Sequence, residues 1–365
     1  MAVQRIAVLG AGGFLGSHIV PALRAQLGCE IEAVDITLAK LATVGENDEG
    51  VHRVTARLDT PGLIDALTAR CGTVISLTAL CNPALYSTKP LDVIDANYTD
   101  LVPLVKACAA RGNRLIHFST CEVYGRLALD AQGRPMEQMN EDGSGFFLGP
   151  VHRERWTYAC AKQLLERVIW AHGQHGALNF TIIRPFNVIG PRMDFLPGID
   201  GEGVPRVLAS FMNALLRGQP LPLVDGGQQR RTFISVHDFV DAVVRVVERP
   251  SVCRGEIFNL GNPTNDVTIR ALGEALAAAF VDARGVTSPG FETVSAEQLY
   301  GPGYDDTAER LPDIGKARRL LSWNPQIPLP AMLPEIIADY VGRYQPLLDS
   351  EAASDAATAR KVSGA

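Results

Sequence analysis

No apolar run in the 365-residue sequence reaches the roughly 20 residues that a membrane-spanning helix needs. Basic charge is not in excess either. Lys and Arg number 34 against 40 Asp and Glu, a net charge of −6, and no basic stripe is present of the kind that attracts nucleic acid. The seven cysteines (Cys29, Cys71, Cys81, Cys108, Cys121, Cys160 and Cys253) are scattered without a CxxC pair or Cys/His ligand spacing. That pattern argues against a disulfide framework and a zinc site, and for free thiols in a reducing compartment. Met1-Ala2-Val3-Gln4-Arg5 runs straight into an apolar strand, with neither a charged leader nor a small-residue cleavage site, so a cytoplasmic chain is expected.

What is present is alternation. Apolar runs at 5–9, 30–35, 51–54, 73–77, 114–119 and 181–185 are bounded by turn residues, with amphipathic stretches between them at 16–27, 63–69, 99–111 and 155–175. Strands that alternate with helices build βαβ units. The expected fold class is therefore α/β: a Rossmann doubly wound parallel sheet with helices on both faces. Beyond Pro185 the pattern is less regular, with Pro/Gly-rich connections at 196–205 and 219–227 around helical stretches at 206–217, 236–248 and 269–279. We expect a main domain over 1–190, a smaller part over 191–348 intertwined with it, and a disordered tail over 349–365. The tail is rich in Ala and Ser and holds too little apolar surface to offset its ordering entropy.

The first strand is followed by Gly10-Ala11-Gly12-Gly13-Phe14-Leu15-Gly16, which opens the first helix. Gly10, Gly13 and Gly16 have the spacing that permits a tight turn and a close backbone approach to a pyrophosphate, with Phe14 and Leu15 between them at the helix N-terminus. A glycine triplet alone joins many strands to helices. Here Asp35 ends the second strand roughly 20 residues on, where a carboxylate accepts the ribose hydroxyls of NAD and repels the extra phosphate of NADP. NAD is thus the expected cofactor, with the main domain holding it. Asp59, after the third strand, is a candidate for the adenine amine; a plain turn aspartate is the alternative.

Tyr158 and Lys162 stand four residues apart at the start of a helical stretch, so phenol and ammonium share one helix face. A nearby cation favours phenolate, which lets a tyrosine of ordinary pKa about 10 act as a base near neutrality. Ser119-Thr120-Cys121 adds hydroxyls at the carboxyl edge of the sheet, where open α/β folds bind their ligands.

With the glycine loop, Thr120, Tyr158 and Lys162 in place, the sequence resembles the extended short-chain dehydrogenase/reductases, which act on nucleotide sugars. The segments 114–125, 155–163, 184–187, 190–195, 224–227 and 303–306 are similar to the UDP-glucuronate decarboxylase branch, and the resemblance runs from about residue 5 to about 330. It implies UDP-glucuronate as substrate, a homodimer and no metal. By resemblance Tyr158 takes the C4 hydroxyl proton, Lys162 lowers its pKa and holds the nicotinamide ribose, and Thr120 orients the sugar oxygen. Glu122 becomes the general acid/base near the decarboxylating carbon. Arg155 and Arg310 fall to the sugar carboxylate and phosphates, Arg206 to the substrate, and Arg231 to UDP with Arg230 as a surface-charge alternative. Asn187 falls to the diphosphate or sugar, and Tyr86 and Tyr304 face the substrate. Tyr124 and Trp156 read as packing residues.

Two cysteines separate close relatives within that branch. The decarboxylase half of the bacterial polymyxin-resistance enzyme carries serine and alanine at the positions of Cys121 and Cys81; members that also contract the sugar ring to a branched pentose carry cysteine at both. Thr120-Cys121-Glu122 and Leu80-Cys81-Asn82 here match the second pattern, although Asn82 and Leu85 stand where plant members have threonine and aspartate. The other five cysteines read as small buried hydrophobes. A plain decarboxylase and a catalytically silent NAD-binding regulator remain as alternatives, the second disfavoured by the presence of both Tyr158 and Lys162.

Overall fold

The computed structural model describes residues 4–42, 49–126, 138–145, 147–300, 307 and 309–363. Short β-branched and apolar runs form β1 (Arg5–Leu9), β2 (Glu30–Asp35), β3 (Val51–Thr55), β4 (Thr73–Ser76), β5 (Arg114–Phe118) and β6 (Asn179–Pro185), all where the alternation put them. A seventh strand, β7 (Glu256–Leu260), was not anticipated, because its five residues Glu-Ile-Phe-Asn-Leu carry polar side chains that mask an apolar run. The sheet order is β7-β6-β5-β4-β1-β2-β3, with every neighbouring pair parallel. Strand order reverses between β1 and β4, so the carboxyl ends of those strands open a crevice for a ligand.

Helices α1 (Gly16–Leu27), α2 (Leu63–Arg70), α3 (Val102–Arg111) and α4 (Thr157–His175) cross between the early strands. Further on, the longer helices are α5 (Val207–Leu216), α6 (Val236–Glu248), α7 (Ile269–Arg284), α8 (Gly315–Leu321) and α9 (Leu329–Ser363). One apolar core lies between the sheet, α1 and α6, where Ile6, Val8, Ile19, Val243 and Phe258 meet with no exposure. A second joins α5, α7 and α9 through Phe211, Met212, Leu276 and Ile336. Residues 236–260 and 314–323 therefore belong to the first core, although they follow position 190 in sequence.

The backbone of α9 continues to Ser363, through most of the 349–365 stretch for which disorder was expected. Alanine has the highest helix propensity, a local preference that an argument from buried surface alone leaves out.

Asp238, on α6, anchors the segment leading into α9. Its Oδ2 accepts the backbone N–H groups of Gln326 and Ile327 at 3.0 and 2.8 Å, and its carbonyl accepts Trp323 Nε1 at 3.0 Å. Asp238→Ala should lower the unfolding free energy by about 2–4 kcal/mol, as two backbone donors lose a charged acceptor. Chemical denaturation measures this; a change below about 0.5 kcal/mol would remove the anchor.

Candidate active site

The glycine loop is shaped by close approach. Gly10 has φ +85°, and a Cβ there would lie 3.0 Å from the Leu77 backbone. A Cβ on Gly16 would come within 2.4 Å of the Gly10 carbonyl oxygen, so only glycine lets α1 start this close to β1. Gly12 lies outside the spacing triplet yet is the most constrained of all, since a Cβ there would fall 1.7 Å from the Thr37 carbonyl oxygen. Asp35 Oδ2 accepts the Gly12 N–H at 2.9 Å and Oδ1 accepts that of Ile36 at 2.7 Å; burial pushes this carboxyl up while those donors hold it down. Asp59 stands apart, exposed and paired with Arg57 at 3.1 Å.

From this loop a cavity of about 510 Å³ extends past the ends of β4 and β5 to α4, lined by Gly10, Gly13, Phe14, Leu15, Gly16, Tyr86, Thr120, Cys121, Tyr158 and Lys162. A second, of about 430 Å³, is lined by Arg155, Arg231, Phe233 and Gln229. The two share Cys81, Glu122, Asn187, Val188, Arg206 and Arg310. Of the residues singled out in the sequence, all but Asp35, Asp59 and Tyr304 line one cavity or both; Asp35 buttresses the loop, and Tyr304 lies outside the described residues. Arg230, the alternative to Arg231, pairs instead with Asp266 at 2.6 Å. Lys40, Asp194 and Asp200 also line the first cavity, and nothing in their local sequence marks them.

Where the cavities meet, charge is concentrated. Glu122 follows the end of β5 in a single 3₁₀ turn, Cys121–Tyr124, capped by the Thr120 hydroxyl, which accepts the Glu122 N–H at 3.2 Å. Arg155 grips the Glu122 carboxylate with two donors, at 2.5 and 3.1 Å, and Arg310 adds a third at 3.2 Å. Burial alone would raise this carboxyl, but the two guanidiniums outweigh it and hold it at about 2. With both in place Glu122 has no proton to give at neutral pH, so the acid role expected from resemblance requires those contacts to loosen.

Tyr158 is buried and stacked on Tyr86, with ring centroids 5.3 Å apart, and Thr120 hydrogen-bonds its side chain. Burial, with Cys81 and Glu122 nearby, pushes the phenol well above its usual value, and the Thr120 bond works the other way. Lys162 is fully buried, donates to the Phe118 carbonyl at 3.1 Å and is brought down by burial to about 8. The cation expected beside the phenol is thus one turn along the same helix, tied to the end of β5. Of the two cysteines, Cys121 is buried and raised by that burial, and Cys81 is exposed to the shared part of the cavities.

Bare backbone at the glycine loop, the buttressing carboxylate of Asp35 and a cavity running on to Tyr158 and Lys162 fit a dinucleotide. Residues 6–261 match the NAD dependent epimerase/dehydratase family. The chain belongs to that family. Among relatives in it, UDP-D-apiose/UDP-D-xylose synthase of rice is 44% identical over 348 residues, 90% of this chain and 87% of that protein. UDP-D-apiose/UDP-D-xylose synthase 2 of Arabidopsis thaliana is 44% identical over 344 residues, 89% of this chain and 88% of that protein. Among solved structures, the PbgP3 protein of Burkholderia pseudomallei superposes with a TM-score of 0.81 at 30% identity, covering 93% of this chain and 97% of that one. The UDP-glucuronic acid 4-epimerase of Bacillus cereus, solved with UDP-glucuronic acid and NAD, shares the fold at a TM-score of 0.76 and 20% identity, covering 93% and 100%. Like other members of the family, the chain is an NAD-dependent enzyme of the epimerase/dehydratase type.

The Glu122 clamp has a pH signature. A carboxyl that titrates near 4.5 when unfolded and near 2 when folded contributes stability that is complete above about pH 4.5 and lost as pH falls towards 2. The stability difference between wild type and Glu122→Gln should therefore be constant from about pH 7 to 5 and shift steadily below, as followed by denaturant unfolding across that range. A pH-independent difference down to about pH 3 would mean that the carboxylate is not held by the arginines.

Proposed function

We propose that the chain is a UDP-apiose/UDP-xylose synthase: it oxidises UDP-glucuronate at C4, releases CO2 and either re-reduces the 4-ketone to UDP-xylose or contracts the ring before reduction to UDP-apiose. The observation that carries this reading is the meeting of the two cavities, where two buried arginines, one carboxylate and two thiols surround the space in front of Tyr158. The 44% identity to plant proteins of that name supports it.

NAD, when bound, supplies the hydride acceptor at C4 and later the hydride donor. Tyr158 Oη, bonded to Thr120, is placed to take the C4 hydroxyl proton, and Lys162 behind it fixes the helix register against β5. Oxidation at C4 turns the C5 carboxylate into that of a β-keto acid, which loses CO2 to give an enolate. Arg155 and Arg310 bind that carboxylate by sharing donors that hold Glu122, and the sharing raises Glu122 towards a range where it can carry a proton to C5. Asn187, Arg206 and Arg231 line the path for the diphosphate and uridine, and Tyr86 backs the sugar by stacking on Tyr158.

Ring contraction needs further proton transfers. A base takes the C2 hydroxyl proton, and the C2–C3 bond breaks as a retro-aldol to leave an aldehyde at C2 and an enediol across C3 and C4; after a proton moves between its oxygens, C4 attacks C2, the C2 oxygen takes a proton, and C3 becomes an aldehyde branch on C4. Cys81 and Cys121 flank this space, and thiols exchange protons nearer neutrality than hydroxyls do. The reading also includes a cytoplasmic homodimer formed through α3 and α4, supported by Leu164 and Trp170 on α4, which leave 46% and 45% of their surface exposed.

Incubation of purified protein with UDP-glucuronate and NAD, with NMR of the sugars, tests the reading: both UDP-xylose and a branched UDP-pentose are expected. UDP-xylose or the 4-keto pentose alone would leave a plain decarboxylase. Tyr158→Phe should retain NAD affinity within about twofold by calorimetry while turnover falls by at least about a thousandfold; activity within threefold of wild type would dismiss Tyr158 as the base. Cys121→Ser and Cys81→Ala should each cut branched-sugar formation at least about tenfold more than CO2 release, and an unchanged product ratio in both would take the thiols out of the mechanism.

A further inference from the structure

Tyr124, two residues beyond Glu122, ends the 3₁₀ turn with its side chain fully buried, and its hydroxyl does more than fill space. Tyr124 Oη donates to Asn259 Oδ1 at 2.9 Å and accepts from Arg184 Nη1 at 2.8 Å. Arg184, on β6, sends Nε and Nη2 to the two carboxylate oxygens of Glu166 at 3.0 and 2.6 Å. Glu166 sits on α4 one turn beyond Lys162. On the other side, Asn259 of β7 donates through Nδ2 to the carbonyls of Met139 and Asp313 at 2.8 and 3.2 Å. Met139 is bonded in turn to the strand-like stretch that carries Arg310: its N–H donates to the Leu311 carbonyl at 2.8 Å, and its carbonyl accepts the Asp313 N–H at 2.9 Å. One hydroxyl thus joins the turn bearing Glu122, the segment bearing Arg310 and the helix bearing Tyr158 and Lys162.

These three pieces are far apart in sequence, and no backbone ladder ties the turn directly to the Arg310 segment among the described contacts. Their relative placement nevertheless decides whether Glu122 and Arg310 meet at 3.2 Å. We propose that Tyr124 is a positioning residue for the carboxylate-handling site, its hydroxyl setting the register between Glu122 and Arg310 through Asn259 and fixing both to the catalytic helix through Arg184 and Glu166. The kinetic consequence rests on the function proposed above; the structural coupling does not.

Tyr124→Phe is the test, because the ring keeps its packing and its place under the Arg184 guanidinium, whose Cζ lies 4.8 Å from the ring centre. Amide hydrogen exchange, read by mass spectrometry, should speed at least about tenfold in both 121–125 and 309–313 while the rest of the chain stays within about twofold. Exchange that is unchanged, or that rises only in 121–125, overturns the coupling whatever the substrate proves to be. With UDP-glucuronate, kcat should fall about tenfold or more with KM and NAD affinity within about threefold. A loss shared equally by kcat, NAD affinity and thermal midpoint would mark Tyr124 as a packing residue only and overturn the positioning role. If wild type does not turn over UDP-glucuronate, the function proposed above fails, and the paired exchange response alone decides the coupling.

Discussion

The site rests on keeping one carboxylate ionised away from bulk water. Glu122 is confined to a short turn at the end of β5, and its charge is tolerated there because Arg155 and Arg310 approach from two other elements. A buried ion costs several kcal/mol of lost hydration, repaid only when the geometry is good and the remaining donors and acceptors are met. The arrangement therefore depends on how the start of α4, the turn after β5 and the late 309–313 segment are held relative to one another. Much of the polar interior beneath the sheet's edge, from Arg184 to Asn259, serves that placement.

The same constraint gives the site its chemical character. Two guanidiniums around one carboxylate leave a net positive centre facing the cavity, suited to an anionic sugar. Tyr86, buried and stacked on Tyr158, forms one wall of the cavity.

Much of this was legible in the sequence. Six strands and the starts of α1 and α6 followed from apolar periodicity, and the glycine loop, Tyr158, Lys162 and Thr120 could be placed because their spacing reflects contacts along one turn or one helix face. Asp35 also followed from its distance along the chain, although it buttresses the loop through the Gly12 amide. What escaped was of another kind. The need for glycine at position 12 comes from Thr37, a residue on a different connection. Tyr124 read as packing because its hydroxyl partners, Arg184 and Asn259, lie 60 and 135 positions away. β7 escaped because polar Glu256 and Asn259 interrupt its apolar run, and buried Asn259 is satisfied by partners, the Met139 and Asp313 carbonyls, that only the fold supplies. The clamp on Glu122 could be suspected from family-matched arginines, but its effect on ionisation is a matter of distance and burial.

β7 has an implication for how the chain comes into being. The sheet's outer strand is supplied by residues 256–260, so β6 waits beside an empty edge while the chain makes α5, which helps line the second cavity, and α6, which covers the first core. During synthesis from the N-terminus, a nascent chain of about 190 residues would present β6, paired with β5 on one side only, as an open apolar edge with Phe180, Ile182 and Ile183 along it, the kind of edge that recruits other strands. Capture of β7 therefore ends a period of exposure as well as completing a fold.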